Sequence, residues 1–303
     1  MAPSKKRKVS DLTAGDTNTI LSALDFFQGT LDENDEDLPS DLLPSLAKLR
    51  AKIEHTSFSK VDAFTLVETR IRSGPLFLDK SQRKAIEDLG KADAEATLLS
   101  FNITKVLIEL IRDHVSTVTE AGCRILINVI LLRLVSAMQS QDSQINIIPE
   151  FPIPKTTFST NTGEQSFGGV VDFLLATVPP RYSRFLLNNP VGALANPASI
   201  KWPLTPTILE AKKDNIALAI PQATVAVAAY CKQHNLPVLR GCITSGEQWA
   251  FFIYQANGDG GQVSMADEIN LGVDLENLPL VLGLLRDLVE NALVYEQKYF
   301  SYE

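Results

Sequence analysis

The sequence predicts an α/β fold with a mainly helical N-terminal region. Apolar residues recur at helical spacing through most of 19–115. After residue 141 the period shortens, and runs such as "INIIPEFPI" (145–153) and "FGGVVDFLLATV" (167–178) read as strands. From 116 onward the expected order is helix, strand, strand, strand, helix, strand, strand, helix, an alternation that calls for a sheet covered by helices.

The first helical stretches are "TNTILSALDFF" (17–27), then 39–56 and 79–114, while 60–74 fits helix or strand. The stretch "STVTEAGCRILINVILLRLVSAMQSQ" (116–141) is the strongest helix, with Ser116 or Thr117 as its cap and Glu120 in its first turns. Asn128 and Arg133 interrupt its apolar run, which therefore reads as a buried helix and not a membrane span. Gly163 and Gly168-Gly169 mark turn or bulge positions around the second strand. Residues 179–206, rich in Pro, Asn and Ala, read as a long loop. A buried strand "TILEA" follows, then a helix ending near "CKQHN" (231–235). "PVLRGCITS" (237–245) and "QWAFFIYQ" (248–255) form a hairpin, "NGDGGQ" (257–262) is a turn, and 276–300 is a final amphipathic helix.

At 303 residues the chain suffices for one large domain or two modest ones. The expected division is a flexible basic tail over 1–18, a mainly helical region over 19–115 with an acidic linker, and an α/β domain over 116–303. Cys123, Cys231 and Cys242 are far apart and in apolar context, which excludes a disulfide framework and a structural zinc site. No membrane partner is expected.

The net charge of −8 conceals an asymmetry. "PSKKRKV" (3–9) carries Lys5, Lys6, Arg7 and Lys8, and without these four the remainder stands at −12. "LDENDEDLPSD" (31–41) adds six acids and no base. A broad basic face for nucleic acid is thereby excluded, so any such contact must be local. The basic run looks like a monopartite nuclear localisation signal, with a nuclear import receptor as the implied partner; the alternative is a tag remnant or a solvated tip.

Chemistry concentrates in two strands. Asp172 interrupts the apolar "VVDFLLATV", where an unpaired buried carboxylate is costly. Glu210-Ala211-Lys212 ends the third strand, and positions i and i+2 project Glu210 and Lys212 to one face while Lys213 points the other way. On neighbouring strands Asp172 and Glu210 would repel unless a cation lay between them, which is how hard oxygen ligands recruit magnesium. The bland alternative for Glu210 and Lys212 is an ion pair at a helix entrance.

This arrangement resembles the PD-(D/E)XK nuclease superfamily over roughly 116–255. The matching motifs are "VVDFLL" and "ILEAKK", with Gln222 in the next helix and Glu120 in "TEAGCRILINVIL" as the early helix acid. The longer run "GGVVDFLL…LEAKKDNIALAIPQA" is similar to the nuclease-like domain of Crinkler-type effectors of fungi and oomycetes. The resemblance implies a restriction-endonuclease-like core, a mixed central sheet flanked by helices, cleaving DNA or, second, RNA. It implies Mg2+ or Mn2+ held by Asp172, Glu210 and the Ala211 carbonyl, Lys212 activating water, and Glu120 and Gln222 in support. No proline precedes Asp172, and the 179–206 insertion is long. A protein that kept this fold as an inactive nuclear adaptor for protein or nucleic acid is the alternative.

Arg181, Tyr182, Arg184, Lys201 and Trp202 form a local basic-aromatic mixture suited to phosphate and base contacts, with Lys213 as a further phosphate contact. An ordinary surface loop accounts for the same residues. His114 and His234 fall near helix C-termini, where a structural role is the default. "NGDGGQ" lacks the lysine of a phosphate loop.

Overall fold

The computed structural model describes residues 56–93, 98–161, 163–194, 203–213 and 215–302, with isolated positions between 20 and 49. The basic tail with Lys5, Lys6, Arg7 and Lys8, the acidic segment 31–41, and Lys201 and Trp202 lie outside the described residues.

The strands are β1 (Thr56–Ser57), β2 (Ile71–Leu78), β3 (Gln144–Thr160), β4 (Gly163–Val178), β5 (Thr205–Ala211), β6 (Val238–Thr244), β7 (Gln248–Asn257), β8 (Gly260–Ala266), β9 (Ile269–Asn270) and β10 (Phe300–Ser301). The helices are α1 (Ala63–Glu68), α2 (Arg83–Lys91), α3 (Phe101–His114), α4 (Glu120–Met138), α5 (Pro180–Asn188), α6 (Pro190–Leu194), α7 (Ile220–His234) and α8 (Leu278–Glu290). All ten strands join one mixed sheet in the order β1-β4-β5-β6-β7-β8-β2-β10, with β3 also on β4 and β9 on β7. The β5–β6, β2–β8 and β1–β4 pairs are parallel, and the others are antiparallel.

Helices cover both faces. On one, α7 lays Ala223, Ala226 and Val227 against Ile208, Ile243 and Leu174; its small residues let the helix approach the sheet closely. On the other, Leu126, Ile130 and Leu134 of α4 join Leu209, Trp249 and α8. Helices α2 and α8 cross at Gly90 and Gly283, where an added Cβ would lie 1.9 Å from the Pro279 carbonyl oxygen or 2.1 Å from that of Ile86. Thus elements before residue 116 contribute two strands, β1 and β2, to the sheet and two helices, α2 and α3, to its cover.

Several elements differ from expectation. The ambiguous 60–74 stretch splits into α1 and β2. The α4 cap is Thr119 and not Ser116 or Thr117, because its side chain reaches the Gly122 N–H at 3.1 Å. The supposed 179–206 loop contains α5 and α6, each opened by a proline whose missing N–H costs nothing in a first turn. The turn at Gly258-Asp259 leads into β8, and the last helix stops at Glu290, where Asn291 breaks the helical φ and ψ. One helix among the described residues, Glu120–Met138, is long and apolar enough to cross a membrane. It packs instead on α3, α8 and β3. Its Arg133 is fully buried, bonding the carbonyls of Leu99 and Ala92 and pairing with Asp93.

Candidate active site

The β4–β5 register makes Asp172 and Glu210 neighbours. Phe173 lies opposite Leu209, so the next antiparallel step brings Asp172 level with Glu210 and on one face. Asp172 Oδ2 accepts the Ala211 N–H at 2.7 Å. Because a strand residue turns its N–H and C=O to the same edge, the Ala211 carbonyl also faces Asp172. The Lys212 N–H bonds the Thr244 carbonyl at 2.8 Å, extending the β5–β6 pairing one residue past Ala211.

Glu210 is 2% exposed. Its Oε1 accepts from Lys212 Nζ at 2.9 Å and from Gln222 Nε2, while Oε2 is buried without a partner. Gln222 reaches it from the first turn of α7, which a short 3-10 turn over Ile216–Ala219 feeds from β5. Burial, and next the Asp172 charge, raise the Glu210 carboxyl to about 7, with Lys212 pulling it down. The neighbouring Asp172 carboxylate disfavours a second negative charge on Glu210.

A cation that the motifs do not include stands beside them. Arg124, one turn after Glu120 on α4, bonds Glu120 Oε1 at 2.8 Å, Glu150 Oε1 at 2.9 Å, and Asp172 Oδ1. Glu150 lies on β3, where Pro149 opposes Phe173 and Phe151 opposes Val171, so Glu150 stands level with Asp172. Glu150, Asp172 and Glu210 therefore form one row across three adjacent strands. Glu150 also has φ of +50°, an uncommon conformation for a non-glycine residue. Burial opposes the Arg124 charge, but the carboxylates of Glu150, Asp172 and Glu120 outweigh it and hold its pKa above the usual arginine value.

The structure thus brings together Asp172, Glu210, Lys212 and Gln222, and joins Glu120 to them through Arg124. Lys213 is exposed beyond the end of β5. Arg181 and Arg184 are exposed on α5, whose Ser183 is anchored to Asn146 at the level of Ala176, four residues along β4 from Asp172. Arg181 lies over the Tyr182 ring at 4.8 Å. The cysteines are all buried thiols. Among the described residues no three His, Cys, Asp or Glu side chains converge as a metal-ligand group. The donor set here is two carboxylates and a main-chain carbonyl, hard oxygens of the kind magnesium takes, and the unpartnered Glu210 Oε2 gives it a ready ligand atom. Comparison of the sequence with protein-family models and with curated proteins returns no match.

Proposed function

We propose that this protein is a metal-dependent phosphodiesterase acting on nucleic acid, DNA before RNA, through a PD-(D/E)XK-type site on a restriction-endonuclease-like core. The observation that carries this reading is the meeting of Asp172 with the Glu210-Ala211-Lys212 step, with Gln222 on the same carboxylate. Asp172, Glu210 and the Ala211 carbonyl would hold Mg2+ or Mn2+, which when bound supplies Lewis-acid activation of phosphate and water. Gln222 and Lys212 both take Glu210 Oε1, fixing the rotamer and leaving Oε2 for the cation. The Lys212 ammonium, on the same strand face, orients water and offers donors to a phosphate oxygen as negative charge builds there. Lys5, Lys6, Arg7 and Lys8 support action in the nucleus, and the Crinkler-like run supports an effector role.

The test is incubation of labelled DNA and RNA with purified protein in Mg2+ or Mn2+. Cleavage is expected, falling by about a hundredfold or more in Lys212→Ala and Asp172→Asn. No cleavage of either substrate, or cleavage indifferent to both substitutions, refutes the reading. The Arg124–Asp172 ion pair favours a second reading, a non-catalytic nuclear adaptor whose acidic row is internally neutralised. Capture of a protein partner that survives high salt and Lys212→Ala, in a protein without cleavage, would establish it.

A further inference from the structure

We propose that Arg124 is a competing internal cation of this site, and that a divalent ion binding at Asp172 and Glu210 displaces its guanidinium from Asp172. The proposal rests on the metal-site reading above. Asp172 has two oxygens, and both are committed: Oδ2 to the Ala211 N–H and Oδ1 to Arg124. The first bond is part of how β4 and β5 meet, so it is the second that a metal must take. Glu210 Oε2, buried and unpartnered, supplies the other ligand atom at no such cost.

Arg124 is held in a way that suits release. Its contacts to the site are all ion pairs, and its Nε is buried with no partner. Two of its three carboxylates, Glu120 and Glu150, are more than half exposed, so they can keep the guanidinium while Asp172 lets go. There is room for the movement: a cavity of about 370 Å³ opens beside Arg124, lined by Asn128, Ile147, Pro149, Glu150 and Phe173. Two cations within a few ångströms repel strongly in a partly buried site, so occupancy by the metal and by the guanidinium exclude one another. Arg124 is a positioning residue on this account: it holds Asp172 in place before the metal arrives.

The experiment is calorimetric titration of the full chain with Mn2+, paired with nitrogen NMR of arginine side chains during a Mg2+ titration. Arg124→Gln is expected to bind Mn2+ about tenfold more tightly than the wild type, or about 1.4 kcal/mol. Asp172→Asn is expected to lose binding. The guanidinium signal absent from Arg124→Gln should shift as Mg2+ saturates the wild type. If Arg124→Gln does not fold, Arg124→Lys, which keeps charge but loses the planar fork, should tighten binding by about threefold. Wild-type binding that depends on Asp172 but is equal or weaker without Arg124, or an Arg124 signal that does not move at saturation, overturns the competition alone. Binding that ignores Asp172→Asn, or none in any variant, overturns the metal-site reading and the competition with it.

Discussion

Replacing Glu210 by glutamine removes a charge that the fold holds at a disadvantage, so Glu210→Gln should stabilise the metal-free protein at alkaline pH. The carboxyl is raised from 4.5 to about 7, first by burial and then by Asp172. In the unfolded chain it ionises near its ordinary value, so between about 4.5 and 7 the folded state binds more protons than the unfolded one. Stability from this group is therefore full below about 4.5 and is lost as pH rises through about 7. At about 1.4 kcal/mol per pH unit the rise corresponds to a loss of about 3 kcal/mol by pH 8. Glutamine keeps an oxygen for Lys212 and Gln222 and adds an N–H that can donate to Asp172. Urea unfolding in EDTA from pH 5 to pH 8, wild type against Glu210→Gln, measures the difference. The variant should gain about 2.5 kcal/mol on the wild type across that range, the rest of the loss falling below pH 5. Parallel pH profiles would show that Glu210 ionises normally in the fold and that the reasoning about its burial is wrong.

Other consequences are more local. His234, half-buried and stacked on Tyr230 at 4.0 Å, has its pKa lowered by burial to about 4. Its contribution is full above about 6.5 and is lost as pH falls toward 4. With its partial exposure discounted, His234→Phe should remove about 1–2 kcal/mol of acid sensitivity in urea melts. Gly283→Ala places a methyl 2.1 Å from the Ile86 carbonyl oxygen and should cost about 1–3 kcal/mol, read as a lower thermal midpoint. An unchanged midpoint would mean that the α2–α8 crossing yields more readily than its geometry implies.

Much of the site was legible because strands carry a strict period of two. Asp172 in "VVDFLLATV" and Glu210 with Lys212 at the end of "TILEA" follow from alternation and from the cost of an unpaired buried carboxylate. The sheet pairing then does what adjacency in sequence order suggests, and Gln222 falls in the first turn of the following helix. The β7–β8 hairpin and the β2–β8 pair were harder. Strand β2 contains Gly74 and Pro75 and pairs with β8, some 190 positions later, in a register that no local period encodes. The helices α5 and α6 were masked by prolines that read as loop signals but sit where a helix begins.

Arg124 and Glu150 were missed for a different reason, and it bears on the chemistry. Each leaves a trace: Arg124 stands four residues after Glu120 in an otherwise apolar helix start, and Glu150 interrupts "IIPEFPI" as Asp172 interrupts its own strand. What sequence cannot supply is the coincidence of the two. That coincidence needs the β3–β4 register to bring Glu150 level with Asp172, and α4 to end its first turn above them. A row of three carboxylates on adjacent strands is unstable without cations, and the chain provides Arg124 and Lys212, one to each side of Asp172 and Glu210. These two cations are not equivalent. Lys212 follows Glu210 closely along the chain and pairs with it, whereas Arg124 comes from a helix and pairs with the Asp172 oxygen that the proposed metal would take. Between the two proposed readings, a nuclease and an internally neutralised adaptor, the deciding property is therefore how readily Arg124 gives up Asp172, since the carboxylates meet in both.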